Sequence, residues 1–307
     1  MASTIDMGVA AAALVAELGG FAKQTGRNPT PLQALSVFHA DRPAARIPVL
    51  YEPCVCFVGA GRKRVFLDRT EYTYDPLNYL VVGVPLPVEA EITEATAQEP
   101  FLSLRLAIDL AMLAELVAEL GETPGDTHLT PRGIYASPLT ADISTGVLRL
   151  MRALRTPVDQ RVLAPMAERE LLYHLLQGEQ GHALRAIAAR DGRAHRIGAT
   201  LRFMEQHYAT PLAVDELAER AFMSASTYHH NFKALTGMSP LQYLKMIRLH
   251  RARLLLLHEG ATAGGAAHAV GYNSQSQFTR EFRRRFGNSP IGERKRLRGA
   301  YPTNATG

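Results

Sequence analysis

The chain has 307 residues, of which 47% are hydrophobic, so it is long enough for two domains and apolar enough for buried cores. Its two cysteines, Cys54 and Cys56, are too few for a disulfide framework or a zinc site, and we predict neither a metal nor a cofactor. The net charge of +5 is uneven: residues 196–298 contain 16 Lys and Arg against 7 Asp and Glu, and the rest of the chain has a net charge of −4. This distribution indicates that one end of the protein binds a polyanion.

Residues 5–24 are the first predicted element, an Ala-rich helix within an N-terminal segment of residues 1–28. Its apolar side could pack on the next domain or on a second subunit. The apolar run of residues 9–18 is too short to cross a bilayer, and it contains Glu17. Because no basic segment precedes this run, we do not predict a signal peptide, and the expected location is cytoplasmic.

Residues 34–108 change to short runs rich in Val, Leu, Phe and Tyr, which turn residues and prolines separate. In residues 102–106 apolar and polar side chains alternate strictly, as they do in a half-buried strand. Strands are predicted at residues 35–38, 49–58, 64–67, 72–74, 79–84, 88–93 and 102–108. Several short strands at this spacing favour a small sandwich or barrel, which we predict as a domain of residues 29–108.

The two cysteines are two residues apart on a predicted strand, so they share one face of it. One interpretation is a sensor that uses thiolate chemistry with oxidants or electrophiles. The favoured interpretation is a pair of small buried side chains, because free cysteine is among the most buried residue types and no fixed cation is evident beside Cys54 or Cys56.

Residues 109–193 are predicted to be mainly helical. Asp109 can cap a helix of residues 110–120, a loop of residues 121–138 follows, and further helices are expected at residues 139–155, 163–177 and 181–190. These amphipathic helices could carry dimer contacts, couple two domains or pack on the strand domain, and the pattern leaves the three alternatives open. We assign them to a helical linker and dimerisation region.

Residues 194–300 contain an internal repeat. Residues 232–240 and residues 282–290 show Phe, a basic residue, Gly, Ser and Pro in the same order, about 50 residues apart. Each copy predicts a short helix, a tight turn, a serine N-cap at Ser224 or Ser274, and a second helix that ends at Gly237 or Gly287. Two helices joined in this way form a helix-turn-helix unit, whose second helix can enter the major groove of DNA.

The second helix of each unit has an aromatic side for the core and a polar or basic side that suits base edges and phosphates. The alternative is an ordinary solvated face, but two copies with matching caps favour DNA binding. A connecting helix of residues 240–258 would span about 28 Å at 1.5 Å per residue, close to one turn of DNA. The predicted DNA-binding residues are Ser224, Ser226, Thr227, His229, His230, Lys233, Ser274, Gln275, Ser276, Gln277, Arg280, Arg283 and Arg284.

Several of these segments resemble a known family. Residues 271–282, GYNSQSQFTREF, and residues 286–290, FGNSP, resemble the double helix-turn-helix domain of AraC/XylS-type transcription regulators. Short segments within residues 51–88 resemble the N-terminal sensing domain of one AraC-type subfamily. The resemblance implies an α+β fold, with an N-terminal cupin-like β-barrel, a helical linker bundle and a C-terminal all-α double helix-turn-helix domain.

The function that this resemblance implies is a ligand-responsive transcription factor, more often an activator than a repressor. Its expected partners are double-stranded promoter DNA, a small-molecule effector in the barrel interior near Cys54 and Cys56, RNA polymerase and a second copy of the chain. Two alternatives stay open: a cupin-type enzyme fused to a DNA-binding domain, and a regulator controlled by a protein partner. Metal cupins need closely spaced His and Glu ligands, whereas the strand region offers only His39, so we predict no catalytic residues.

Overall fold

The structure, a computed structural model, describes residues 4–121, 130–189, 192–258 and 261–300. The strands are β1 (Gly26–Pro29), β2 (Leu35–Ala40), β3 (Ala44–Tyr51), β4 (Cys54–Ala60), β5 (Arg62–Leu67), β6 (Thr70–Tyr74), β7 (Asn78–Val82), β8 (Leu86–Glu94), β9 (Phe101–Ala107) and β10 (Ile134–Pro138). The helices are α1 (Thr4–Phe21), α2 (Leu110–Glu119), α3 (Ala141–Ala153), α4 (Pro157–Gln177), α5 (Gly181–Ala188), α6 (Arg193–Gln206), α7 (Val214–Arg220), α8 (Ala225–Thr236), α9 (Pro240–His258), α10 (Ala263–Ala269), α11 (Gln275–Phe286) and α12 (Pro290–Ala300).

The strands form two antiparallel sheets. One has six strands in the order β1-β2-β9-β4-β7-β10, and the other has four in the order β3-β8-β5-β6. A helical C-terminal region follows, so the predicted α+β class is confirmed. After the functions that the sequence resemblance implies, we call the part that contains the two sheets the sensing domain and the part from α6 onward the DNA domain. The finer description of the sensing domain as a cupin-like barrel stays a prediction.

The six-stranded sheet is covered on both faces. The alternation predicted for residues 102–106 sends Leu102, Leu104 and Leu106 to the side of helices α1 to α5, where they join one apolar core. Phe101 faces the four-stranded sheet and belongs to a second core. Burial on both sides explains why six of the seven residues of β4 are fully buried, including both cysteines. Their burial agrees with the interpretation favoured from the sequence.

One predicted loop is a strand. The chain was expected to be a loop from residue 121 to residue 138, but residues 134–138 form β10, which pairs with β7 at the edge of the six-stranded sheet. Pro138 ends this strand, and proline is tolerated at the edge of a sheet, where the ladder does not need its N–H. The rest of that loop includes residues 122–129, which lie outside the described residues.

Two helix boundaries also differ from the prediction. The first helix ends at Phe21, and Gly26–Pro29 forms β1, which pairs with β2. Helix α4 was expected to begin near residue 163 but begins at Pro157, because Thr156 caps it and proline at the first helical position costs no hydrogen bond. Among the described residues, no helix combines the length and the apolar character needed to span a bilayer.

The DNA domain does not stand apart from the sensing domain. The core of the first helix-turn-helix unit, with Phe232 and Leu235, is continuous with the core between the two sheets, with Leu67 and Val65. The second unit has a separate core built on Phe278, Phe282 and Phe286. The first unit is therefore anchored to the sensing domain by apolar burial, whereas the second is built around its own aromatic cluster.

Candidate nucleic-acid interface

The caps predicted for the two recognition helices, α8 and α11, are present. The Ser224 hydroxyl accepts a hydrogen bond from the backbone N–H of Thr227 at 3.3 Å, and Ser274 does the same for Gln277 at 3.2 Å. Both helices end at glycines in the left-handed conformation, with φ of 76° at Gly237 and 78° at Gly287. Because the caps satisfy backbone groups at both ends, each recognition helix has fixed limits.

The tight turns that precede the two recognition helices share one hydrogen-bond pattern. The Met223 N–H donates to the Ala218 carbonyl, and the Tyr272 N–H donates to the Ala267 carbonyl, each at 3.0 Å. The turn requires a positive φ, which Gly271 supplies in the second unit but Phe222 supplies in the first, with φ of 53°. Phenylalanine in this conformation is strained by about 1–2 kcal/mol relative to glycine.

The exposed face of α8 is polar. Tyr228, Phe232 and Leu235 are buried on the core side of the helix. The opposite side forms one open depression, lined by Ser226, His229, His230, Lys233 and Ala234. Imidazole and ammonium groups at this spacing can donate hydrogen bonds to phosphates and base edges.

The exposed face of α11 is more strongly basic. Phe278, Phe282 and Phe286 lie on the core side. The opposite side forms a second open depression, lined by Gln275, Ser276, Thr279, Arg280, Arg283, Arg284 and Gly287. All thirteen residues predicted to bind DNA are exposed. Thr279 was missed, although it lies one turn from both Gln275 and Arg283 and so shares their face.

Four of the predicted residues are engaged within the helices. Ser224 and Ser274 serve as caps, and the Ser224 hydroxyl also donates to Thr227 Oγ1 at 2.9 Å. Gln277 donates to Glu281 Oε1 at 3.3 Å. These contacts position the N-terminal turns, so the base-reading candidates narrow to the other nine residues, above all to the arginines of α11.

Both recognition helices also contact the sensing domain. On α8, the buried Asn231 accepts a hydrogen bond from Thr130 Oγ1 at 2.6 Å, and the Leu235 carbonyl accepts one from the Gly133 N–H at 2.8 Å. On α11, Arg285 donates to Glu89 on β8 at 2.7 Å. Asn231 is a buried polar residue, and the structure gives it this specific polar partner.

Helix α9 adds two further interdomain contacts. Arg253 donates to the Pro48 carbonyl at 2.8 Å, and the Tyr243 hydroxyl donates to the Pro85 carbonyl at 3.0 Å. Nearby, burial and the charge of Glu52 raise the pKa of Glu205 from 4.5 to about 7. The DNA domain is thus held to the sensing domain at α8, α9 and α11.

The region predicted to hold an effector lies between the two sheets. Cys54 and Cys56 face this space, with their sulfur atoms 4.0 Å apart. The hydrogen bond from Cys54 lowers the pKa of the Cys56 thiol, with Lys63 and Arg105 contributing, whereas that bond and burial raise the pKa of Cys54. These cations were not predicted, because Arg105 reaches the cysteines only through strand pairing and Lys63 only through the packing of the second sheet on the first. Within the described ranges, no group of three His, Cys, Asp or Glu residues could hold a metal ion.

Together, the fold and this surface define a two-domain helix-turn-helix protein with an antiparallel-sheet domain in front of a double DNA-binding unit. Residues 31–183 match the family described as "AraC-type transcriptional regulator N-terminus", and residues 217–296 match the "Helix-turn-helix domain" family. The chain belongs to the AraC-type transcriptional regulators.

A relative with a known role is the HTH-type transcriptional activator RhaS of Escherichia coli (strain SE11). It is 31% identical over 153 residues, which cover 48% of this chain and 54% of RhaS. The chain therefore spans about half the length of the curated relatives it matches.

Solved structures support the fold. The unsaturated-fatty-acid-bound ToxT of Vibrio cholerae strain SCE256 is similar with a TM-score of 0.55 at 12% identity, covering 83% of this chain and 92% of ToxT. ToxT of Vibrio cholerae O395 is similar with a TM-score of 0.55 at 9% identity, covering 87% of this chain and 98% of that one. At these identities the similarity to ToxT shows the fold alone.

Proposed function

We propose that this protein is a ligand-responsive, sequence-specific DNA-binding transcription regulator that acts as an activator. The observation that carries the proposal is the pair of recognition helices, which have matching serine caps, buried aromatic sides and exposed polar or basic sides. A single basic helix would suit nonspecific phosphate binding equally well. Two equivalent helices on one domain suit two adjacent half-sites on DNA.

Helix α9 sets the geometry of DNA reading. It has 19 residues, which gives a length of about 28 Å. One turn of DNA is about 34–36 Å, so a rigid connector of this length can deliver α8 and α11 to successive major grooves on one side of the duplex. In this arrangement Arg280, Arg283 and Arg284 reach the groove of one half-site, and His229, His230 and Lys233 reach the other.

Activation requires a contact with the transcription machinery, and we propose that RNA polymerase is the partner. Support comes from the family and from RhaS, which is named as an activator. We assign no enzymatic activity to the chain, because the family is regulatory.

The sensing domain is proposed to bind a small-molecule effector between its two sheets, near Cys54 and Cys56. The effector could influence DNA binding through the contacts at Thr130, Gly133 and Glu89, because each joins a recognition helix directly to the sensing domain. An effector shifts such an equilibrium only if it binds two arrangements of these domains with different affinity.

We also propose that the protein forms a homodimer through helix α4. Large apolar side chains are exposed along this helix: Val158, Val162, Leu163, Met166 and Tyr173. Val158, Val162, Met166 and Tyr173 lie within one stripe at helical spacing, and we call these four residues the α4 stripe. A second copy would cover the α4 stripe by antiparallel packing of the same helix, the self-complementary contact that two-fold symmetry requires.

The DNA-binding proposal is tested with the full chain and a library of random duplexes. Repeated selection is expected to enrich a defined sequence, which then binds much more tightly than a scrambled duplex of equal composition. Equal affinity for the selected and scrambled duplexes at several salt concentrations would reduce the function to nonspecific phosphate binding.

A further inference from the structure

Two basic side chains point into the space between the sheets. Arg105 on β9 pairs across strands with Cys56, and Lys63 on β5 pairs with Tyr74. Directly paired residues project from the same face of a sheet. Cys56 and Tyr74 belong to the buried core between the sheets, so Arg105 and Lys63 face that core as well.

The groups around these cations are thiols and phenols. The hydroxyl oxygens of Tyr51 and Tyr74 are 3.4 Å apart, and the sulfur atoms of Cys54 and Cys56 are 4.0 Å apart. The Lys63 Nζ atom lies 5.3 Å from the ring centre of Phe38 and 5.6 Å from that of Tyr51. We call Tyr51, Cys54, Cys56, Lys63, Tyr74 and Arg105 the inter-sheet cluster.

The inter-sheet cluster lacks a carboxylate. Among the described residues, no Asp or Glu oxygen lies within 4.0 Å of a charged nitrogen of Lys63 or Arg105. The outer face of the four-stranded sheet does have carboxylates beside its arginines: Arg64 pairs with Glu91, and Arg46 pairs with Glu89. The outward-facing arginines are therefore neutralised, whereas the two inward-facing cations are not.

The surroundings of Lys63 keep it charged. Burial lowers the pKa of Lys63, but Tyr51 and the two cysteines outweigh it, so the pKa is raised and the amine stays charged. Charged groups with perturbed pKa values cluster at functional sites.

The cluster can also be reached. Phe38, Tyr51, Lys63 and Arg105 are half-buried, whereas Cys54, Cys56 and Tyr74 are fully buried. The cations and two aromatic rings therefore form the accessible part, and the thiols and Tyr74 lie deeper.

We infer that the inter-sheet cluster binds a small organic carboxylate with a flat apolar body, and that this class of compound is the effector. The inference rests on the proposed ligand-responsive function. Arg105 offers two parallel N–H donors to a carboxylate and Lys63 supplies a second positive charge. Phe38 and Tyr51 flank the same space and suit a planar apolar group.

The experiment uses the full-length protein, with benzoate as the probe and benzamide as its neutral counterpart of the same shape. Binding is measured by isothermal titration and by the change in melting temperature. Benzoate is expected to bind and to raise the melting temperature, and benzamide to bind at least about tenfold more weakly, because charge-assisted hydrogen bonds are the stronger kind.

Two variants and a control assign the effect to the inter-sheet cluster. Lys63→Met and Arg105→Met should each weaken benzoate binding by about tenfold or more. The control is Arg42→Met, since the Arg42 side chain is 84% exposed, and it should leave benzoate binding unchanged. Lys63→Gln and Arg105→Gln provide replacements if either methionine variant fails to fold.

Three results would overturn the inference: no benzoate binding up to millimolar concentration, equal binding of benzoate and benzamide, or unchanged binding by both cluster variants. Selection of a duplex by the same preparation separates the two proposals. If a sequence is enriched without benzoate binding, the carboxylate inference fails and DNA binding stands.

Discussion

Arg285 on the second recognition helix donates a hydrogen bond to Glu89 on strand β8 of the sensing domain, across 2.7 Å. Glu89 also pairs with Arg46 on the neighbouring strand β3. One carboxylate therefore joins the four-stranded sheet to the helix that carries Arg280, Arg283 and Arg284. Any movement of β8 must either carry α11 with it or break this ion pair.

The first prediction concerns Glu89. Glu89→Gln should weaken the link between β8 and α11 at a cost of about 1 kcal/mol, because the pair is three-quarters buried. Backbone amides of α11 should exchange faster with solvent, and the affinity for the selected duplex should change. Glu91→Gln is the matched control, since Glu91 lies on the same strand but pairs with Arg64 inside the sensing domain. Equal effects of both variants on α11 would show that the ion pair does not restrain the helix.

The second prediction separates Arg280 from Arg285. Arg280 is exposed in the N-terminal half of α11, where it can donate two hydrogen bonds to guanine, worth about 1–3 kcal/mol of discrimination. Arg280→Ala should weaken binding to the selected duplex and relax the preference at one base pair, with less effect on scrambled DNA. Arg285→Ala should leave base preference unchanged, because Arg285 points to Glu89.

The measurement is binding of both variants to the selected and scrambled duplexes at several salt concentrations. A phosphate contact would lower affinity for all sequences and reduce the salt slope by about 1. If Arg280→Ala weakens binding to both duplexes equally, Arg280 contacts phosphate and does not read a base.

The third prediction concerns pH. Burial and Glu52 raise the pKa of Glu205 from 4.5 to about 7 in the folded protein. Between pH 4.5 and 7, the folded state therefore keeps a proton on Glu205 that the unfolded state has lost. The contribution of Glu205 to stability is fully present below pH 4.5 and is lost as the pH rises through 7. Glu205→Gln should remove this loss, which we expect to be roughly 2 kcal/mol after allowance for partial exposure.

The test compares the free energy of unfolding of the wild type and Glu205→Gln between about pH 4 and pH 8, so that the interval includes both the unfolded and the folded pKa of Glu205. Burial and three nearby arginines lower the pKa of His250 to about 3, but His250 contributes equally to both proteins and cancels in the comparison. Glu216→Gln serves as control, since Glu216 is exposed and pairs with Arg220. Parallel profiles for the wild type and Glu205→Gln across this interval would mean that folding does not raise the pKa of Glu205.

The fourth prediction concerns the α4 stripe. Met166→Glu should shift the protein from dimer to monomer in sedimentation experiments, because a charge would be buried at the centre of the interface. Its free energy of unfolding at low concentration should stay within about 0.5 kcal/mol of the wild type, since Met166 is 65% exposed. Leu77→Glu is the control, an equally exposed apolar residue elsewhere in the sensing domain. A wild-type protein that is monomeric at micromolar concentration would contradict the interface.

The local features of the DNA domain could be predicted from the sequence because they depend on short-range chemistry. Ser224, Ser274, Gly237 and Gly287 each act within a few residues of their position, so the caps follow from residue type and spacing. The polar side chains of each exposed face follow from helical periodicity, with Thr279 the polar lining residue that the prediction left out.

The interdomain contacts could not be predicted in this way. Glu89 and Arg285 are separated by 196 positions, and their contact depends on how two folded domains dock. Strand β10 was missed for a similar reason, since five residues ending in proline form a strand only because β7 offers a free edge. Likewise, Lys63 and Arg105 become a pair of half-buried cations only when two sheets face each other.

Helices α8 and α11 are each expected to read a separate half-site on DNA. The most direct measurement repeats the random-duplex selection with the wild type, with a His230→Ala/Lys233→Ala variant of α8 and with Arg280→Ala in α11. We expect two blocks of preferred bases about 10 base pairs apart, with the α8 variant relaxing one block and the α11 variant relaxing the other. A single block, or loss of the same block in both variants, would contradict the claim.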